Sequence, residues 1–297
     1  MDETILITGA TGRVGSRVVA ELLAAGTRPR VLVRDPGASR RVWPDAGPEL
    51  EAAVGDFTDG PSLDRALRGI RRLYLSSADG PDKVDHEIAV IEAARRAGVD
   101  RVVKLSALHA AVGSAVPAFD WHGRIERHLA DSGLPHLNLR PAFFAENLLM
   151  LAPEVAATGR LSAPVGGARV AMVAIADVAA SAAAALLDPP DRSAFDLTGP
   201  AAVTFDQLAA ALAAATGRPV EFADLTPEQA GARFAGAGLP EWLGRQLGGV
   251  FGLIRAGGFA ATTDGVSLLT GRPATSVTDW AAAHAAAFTP APAVAAG

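Results

Sequence analysis

Short, nearly continuous apolar runs alternate along the first half of the chain with longer stretches whose apolar residues recur every three or four positions. Ile5–Ile7, Arg30–Val33, Glu51–Val54, Arg72–Ser76, Arg101–Leu105 and His136–Leu139 read as strands. Helices are predicted between them, starting near Gly12, Pro61, Pro81 and Phe119. The first helix places Val14, Val18, Val19, Leu22 and Leu23 on one face and stops at Gly26; Gly98 and Gly133 suit later stops. Alternation of this kind predicts an α/β fold built on a doubly wound parallel sheet, with a ligand at the carboxyl ends of the strands.

After Arg140-Pro141 the rhythm loosens. Val170–Ile175 predicts a strand, Asp177 the cap of an alanine-rich helix, and Phe195–Thr198 a returning strand. A helix is expected from Phe205 to Thr216, and mostly helical structure from Thr226, broken by glycines between Gly236 and Gly258. The expected division is a sheet domain over residues 1–150, to which 168–200 return. A smaller, mostly helical lobe over 151–167 and 201–297 would cover the ligand. Thr289–Gly297 reads as a frayed tail.

The sharpest local signal is Thr8-Gly9-Ala10-Thr11-Gly12-Arg13-Val14-Gly15, directly after the first strand. A strand, a glycine turn and a helix start point several backbone N–H groups at one spot, at the positive end of a helix dipole. That is a site for a pyrophosphate. Gly9 turns the chain, Gly12 lets the backbone approach the phosphates, and Gly15 lets helix and strand pack closely; Thr11, Arg13 and Val14 complete the loop. The sheet domain is therefore expected to be a Rossmann-type NAD(P)-binding domain.

The end of the second strand discriminates between the two dinucleotides. It reads Val33-Arg34-Asp35-Pro36, with Arg40 and Arg41 beyond. Arg34 stands where an arginine would read a 2′-phosphate, which favours NADPH, while Asp35 leaves NADH open through its ribose 2′-OH. Asp56 and Phe57, after the third strand, are candidates to bind the adenine, or Asp56 is a turn residue. Ser76 and Ser77 after the fourth strand, Ser106 after the fifth, and Pro141 with Phe143 after the sixth are expected around the inner ribose and nicotinamide. Phe144 and Asn147 would begin the substrate wall, although either phenylalanine alone could be core.

Composition narrows the remaining classes. The 297 residues are 49% hydrophobic and 20% charged, with a net charge of −5, so nothing invites nucleic acid. There is no cysteine, which removes disulfides and thiolate chemistry and suits a reducing interior. The first strand starts within five residues of Met1, so no signal peptide is expected, and the apolar Val178–Leu187 run is too short to span a bilayer. A cytoplasmic, membrane-free protein, monomeric or homodimeric, is the expectation. His86, His109, His128, His136 and His284 form no metal-spaced cluster, so no metal is expected, and no G-x-S-x-G elbow anchors a hydrolase triad.

The T-G-A-T-G wording resembles the extended and atypical short-chain dehydrogenases/reductases. Four further stretches make the resemblance more specific: Leu32–Pro36, Gly55-Asp56-Phe57, Leu139-Arg140-Pro141-Ala142-Phe143-Phe144-x-Glu146-Asn147, and Thr270-Gly271-Arg272-Pro273. Together with His122-x-x-x-Glu126 they are similar to the NmrA-like branch over nearly the whole chain. That branch includes quinone reductases, triphenylmethane reductase, the isoflavone and phenylcoumaran reductases, and non-catalytic redox sensors.

The wider superfamily moves protons through Tyr-x-x-x-Lys on the helix after the fifth strand. Here the single tyrosine is Tyr74, in a strand, and the only lysines are Lys83 and Lys104, so that dyad cannot exist. Ala118 stands at the tyrosine position. The resemblance implies that His122 is the resident acid or ribose anchor, with Glu126 one turn on to hold its tautomer or charge. The alternative is that both are an ordinary surface helix pair.

Hydride addition to a quinone or conjugated dye leaves a delocalised anion and needs no strong local acid, whereas a simple ketone leaves a basic alkoxide. The expectation is an NAD(P)H-dependent reductase of quinones or related conjugated aromatics. Two alternatives stay open: a tailoring enzyme of aromatic polyketide biosynthesis acting on polycyclic quinones, and a non-catalytic NAD(P) sensor that binds a protein partner.

Overall fold

The computed structural model of the chain describes residues 4–44, 47, 50–236 and 238–290. The described residues fall into two compact units. One runs to Pro141 and takes in Ile175–Leu197 and Gly265–Arg272; the other is Ala142–Ala174, Thr198–Asp264 and the chain from Pro273.

The first unit opens with β1 (Ile5–Ile7), α1 (Gly15–Ala24), β2 (Arg30–Val33), α2 (Pro36–Val42), β3 (Glu51–Val54) and α3 (Gly60–Ala66). It continues through β4 (Arg72–Leu75), α4 (Lys83–Ala97), β5 (Arg101–Leu105), α5 (Pro117–Asp131) and β6 (His136–Pro141). The chain then leaves through α6 (Ala152–Thr158) and β7 (Arg160–Ala163), and returns with α7 (Ile175–Leu187) and β8 (Ala194–Leu197). After α8 (Phe205–Thr216), β9 (Glu221–Asp224), α9 (Pro227–Gly236) and α10 (Glu241–Arg255) it comes back once more as α11 (Gly265–Thr270) before α12 (Val277–His284).

Seven of the described strands form one parallel sheet in the order β3-β2-β1-β4-β5-β6-β8. The expected doubly wound sheet is therefore present. Ile5, Leu6, Ile7, Leu73, Tyr74, Leu75, Val102 and Val103 are buried, as strands covered on both faces must be. Helices α3, α4 and α5 pack in succession, and α7 packs against α1 and beneath β4, β5 and β6. Alanines 179, 182 and 185 are fully buried in α7, and their small side chains suit a close approach to the sheet. The strand order reverses direction between β1 and β4, which makes their carboxyl ends the topological switch point where ligands of such sheets bind.

In the second unit β7 and β9 form a two-stranded parallel sheet, and α8 packs on α12. A capping box, Thr204 with Gln207, starts α8 at the expected place.

Three expectations change. Helix α1 begins at Gly15 rather than near Gly12, because the turn after β1 occupies the intervening residues. Val170–Ile175 is not a strand: Val170 donates to Val203, Ala171 to Phe259 and Val173 to Phe143, so the run serves three separate segments instead of one ladder, and Ile175 opens α7. Asp177 is not that helix's cap. It lies buried in the first turn, where a carboxylate still meets the positive end of the dipole, with Arg272 Nη1 3.6 Å away. The part of the expected tail beyond residue 290 lies outside the described residues.

Candidate active site

The loop after β1 is built almost wholly from backbone. Gly9 has φ +59°, and a side chain there would set its Cβ 2.7 Å from the Ser76 carbonyl oxygen. At Gly15 an added Cβ would lie 2.3 Å from the Gly9 oxygen, closer than any packed atom tolerates. Thr8 ties the two strand ends at the switch point: its hydroxyl donates to the Ser76 carbonyl at 2.9 Å and accepts from the Ser76 N–H at 2.9 Å.

Thr11, Gly12 and Arg13 are exposed, and the Gly12 N–H closes the turn onto the Gly9 oxygen. Among the described residues, the N–H groups of Thr11 and Val14 make no bond to another backbone group. Open donors ahead of α1, on a loop where a Cβ at Gly9 or Gly15 would collide, suit a diphosphate.

At the end of β2 the two candidate readers part company. Asp35 caps α2, accepting from the Gly37 N–H at 2.8 Å, and pairs with Arg41 at 2.9 Å. These bonds hold its carboxyl below the usual range. Its acceptor oxygens are engaged locally, which weakens its claim on a ribose 2′-OH. Arg34 is exposed, and its charge reaches Asp56. Asp56 accepts from the backbone N–H and hydroxyl of Thr58, and these two bonds lower its pKa, so it forms a turn, the second of the two roles expected for it. Phe57 is half-buried beside His86, with ring centroids 5.7 Å apart.

Beneath this edge lies a cluster that the sequence reading did not find. Lys104, in β5, is fully buried, as is Glu87 of α4; Lys83, also of α4, is nearly so. Glu87 sits between the two ammonium groups, its Oε1 2.9 Å from Lys83 and its Oε2 2.9 Å from Lys104; the second contact is a charge pair lying off the hydrogen-bond direction. Lys83 also reaches Asp79 at 3.3 Å. Ser77, expected near the ribose, donates its hydroxyl inward to Glu87 at 2.8 Å. The flanking ammonium groups outweigh burial and keep the Glu87 carboxyl below its ordinary range.

His122 joins this cluster. It is 6% exposed, which rules out the surface-pair reading, and its Nδ1 lies 3.1 Å from Lys104 Nζ. Burial first, then the Lys104 and Lys83 charges, push its pKa well below 6.5. Near neutral pH the ring is therefore uncharged, so an imidazolium acid is not what the site presents.

Glu126, expected to hold His122, turns elsewhere. It takes a two-pronged pair from Arg140 of β6, at 2.9 and 2.5 Å, and accepts the Ser106 hydroxyl at 2.5 Å. A guanidinium offers a carboxylate two parallel charged donors, which a neutral imidazole cannot match. Glu126 thus fastens α5 to the ends of β5 and β6.

A further determinant is Gly123. A Cβ there would lie 2.4 Å from the Ala111 carbonyl carbon and 2.5 Å from the Val112 nitrogen, so the loop after β5 rests directly on α5.

Of the remaining candidates, Pro141 ends β6 in the first unit. Phe143, Phe144 and Asn147 belong to the second, where Phe143 and Phe251 rings stand 6.4 Å apart and a 3-10 turn, Ala145–Leu151, carries Asn147. Among the described residues no group of histidine, cysteine or carboxylate side chains could hold a metal ion, and no helix is long and apolar enough to cross a membrane.

The description "NmrA-like family" matches residues 1–254 of this chain. The chain belongs to that family. It is 35% identical over 285 residues to an NAD(P)H azoreductase of Xenophilus azovorans, covering 96% of this chain and 99% of that protein. It is 36% identical over 288 residues to a (4-alkanoyl-5-oxo-2,5-dihydrofuran-3-yl)methyl phosphate reductase of Streptomyces griseus, with 96% and 99% covered. Among solved structures it is similar to an NADPH-dependent quinone oxidoreductase of Escherichia coli complexed with NADPH. That match has a TM-score of 0.86 and 30% identity, covering 94% of this chain and 99% of the other. The family expected from the T-G-A-T-G and R-P-x-F-F-x-E-N wording is the family found.

Proposed function

We propose that the chain is an NAD(P)H-dependent reductase, with NADPH preferred, acting on quinones or related conjugated acceptors. The observation that carries the reading is the pairing of an open backbone loop at the β1/β4 switch point with an exposed Arg34 beside an Asp35 already engaged in capping α2. Gly9, Thr11, Gly12, Arg13, Val14 and Gly15 would hold the pyrophosphate, Arg34 the 2′-phosphate, and Asp56 with Phe57 the adenine edge and face. Ser76, Ser106 and Pro141 would stand toward the inner ribose and nicotinamide by their place at the strand ends. Phe143, Phe144 and Asn147 are assigned to cofactor and acceptor by their sequence position after β6.

When bound, the cofactor supplies a hydride. The chain's own task is then to orient the acceptor and to neutralise the anion left behind. His122 is suited to that as a neutral N–H donor rather than as a charged acid. The acceptors in the names of the three relatives are an azo group, a quinone and an unsaturated lactone that also carries an acyl group. Each spreads the negative charge created by hydride addition over a conjugated system, so a weak donor suffices.

The test is NADPH oxidation followed with a quinone, an azo dye and an aliphatic ketone. Turnover is expected with the conjugated acceptors and little with the ketone. Tight NADPH binding with no turnover across a broad aromatic panel would replace this reading with the sensor, and the search would move to a protein partner whose binding follows the NADPH/NADP ratio.

A further inference from the structure

We propose that Lys104 is the positioning residue and proton source for His122: its ammonium fixes the ring as the Nε2–H tautomer and re-protonates Nδ1 as the Nε2 proton leaves. The inference rests on His122 being the donor in the reaction proposed above.

The argument starts from what each atom can do. An ammonium group has three donor hydrogens and no lone pair, so while charged it can only donate. Lys104 Nζ gives one hydrogen bond to the Leu105 carbonyl at 2.9 Å, stands 2.9 Å from Glu87 Oε2, and lies 3.1 Å from His122 Nδ1. Facing a charged donor, Nδ1 must be the acceptor, and the ring's single hydrogen sits on Nε2. Glu126, one helical turn on from His122, is held by Arg140 and Ser106 and is not free to draw a second proton onto the ring.

Four elements supply the charges around the pair: Lys83 and Glu87 from α4, Lys104 itself from β5, Glu126 from α5 and Arg140 from β6. Tyr74 of β4, buried and kept neutral by that burial, adds no charge. Glu87 keeps Lys104 charged at a site with no water contact. Burial and the Lys83 charge together draw the Lys104 pKa down, which makes its ammonium the readier proton donor of the two lysines.

In the step itself the Nε2–H bond breaks and its proton passes to the anion left on the reduced acceptor. One Lys104 N–H bond breaks, and that proton forms the new Nδ1–H bond, leaving the ring neutral and Lys104 an amine. After the product departs, Nε2 takes a proton from water and Nδ1 returns its own to Lys104. No electrons move in these transfers and no further reactant is required.

The experiment uses full-length protein labelled with 15N-histidine, without cofactor, with the His122 signals assigned by their loss in His122→Gln. Wild type is expected to show the Nε2–H tautomer and no titration near pH 6.5. In Lys104→Met the lock is gone, and the His122 titration should move up by roughly one pH unit as the neighbouring positive charge is lost. Wild-type kcat is expected to fall at alkaline pH as Lys104 loses its proton, and in Lys104→Met that limb should disappear, with NADPH affinity unchanged. Should Lys104→Met fail to fold, the Glu87→Gln/Lys104→Met double variant removes both partners of the charge pair and gives the same readouts. A wild-type His122 carrying its proton on Nδ1, or titrating near pH 6.5, overturns the proposal, as does an unchanged kcat profile in a folded Lys104→Met. The tautomer measurement needs no substrate, so it stands even if no acceptor is ever turned over.

Discussion

Two regions of the first unit lie along the same sheet edge and are made in opposite ways. The loop from Gly9 to Gly15 is backbone: its function would be to present N–H groups, and its requirement is the absence of side chains. The cluster of Lys83, Glu87, Lys104 and His122 is all side chain, almost wholly buried and drawn from α4, β5 and α5. The first tolerates no added atoms. The second tolerates no removed charge. The contrast separates a site that binds by shape from one that works by electrostatic balance, and each fails in its own way.

The largest expected effect tests the shape side. Gly12→Val brings a β-branched side chain into an exposed turn where even a Cβ would lie 3.1 Å from the Gly9 oxygen. NADPH binding by calorimetry should be lost while the circular dichroism spectrum is retained. Binding at wild-type affinity would show that the loop does not hold the phosphates.

On the charge side, Glu87→Gln leaves two buried ammonium groups without their shared carboxylate. Breaking a buried pair in this way costs about 3–5 kcal/mol, readable as a lower denaturant midpoint. A loss below about 1 kcal/mol would mean that the lysines shed their protons or reach water, a surface-like outcome.

Arg34→Ala is smaller and more selective. NADPH affinity should weaken by about 1.5–3 kcal/mol, the range for a hydrogen bond to a charged group, and NADH affinity should hardly change. Equal losses for both cofactors would remove the 2′-phosphate role.

The smallest effect is a slope. His122 is neutral in the fold with its pKa well below 6.5, so the unfolded chain binds the extra proton first as pH falls through 6.5. Stability contributed by the neutral ring is therefore full above pH 6.5 and declines below it toward the folded-state pKa. Melting temperatures of wild type and His122→Gln should diverge in that window, with wild type the steeper of the two.

How far each region could be read from the chain follows from the same contrast. The loop was legible because a positive φ at Gly9 and a close approach at Gly15 demand glycine at fixed spacing, and spacing is what a sequence displays. The sheet was legible because strands buried on both faces must be continuously apolar. The Val170–Ile175 run failed because its extended backbone is shared among Val203, Phe259 and Phe143, partners that no local pattern reveals. The charge cluster was missed because its members are 17 residues apart at the closest inter-element contact, Glu87 with Lys104, and 18 at the next, Lys104 with His122.

A sign of the cluster was nonetheless present: Lys104 interrupts the apolar Val102-Val103-Lys104-Leu105, and a cation in the middle of a central strand must find an anion. The spacing of His122 and Glu126 misled for a related reason. Four residues along a helix puts two side chains on one face but does not choose their partners, and Arg140 was the stronger claim on the carboxylate.

The parallel sheet has one consequence for how the molecule comes into being. Strand β6 ends at Pro141, yet its outer neighbour β8 begins at Ala194 and the last piece of the same unit, α11, ends at Thr270. A nascent chain must therefore hold an unpaired edge open while Ala142–Ala174 of the other unit, and then α7 of its own, are synthesised. Long-range parallel pairing of this sort is slow and exposes the edge to other chains. Fragments cut at the end of β6 would retain the whole glycine loop and still be the form of this protein most prone to aggregate.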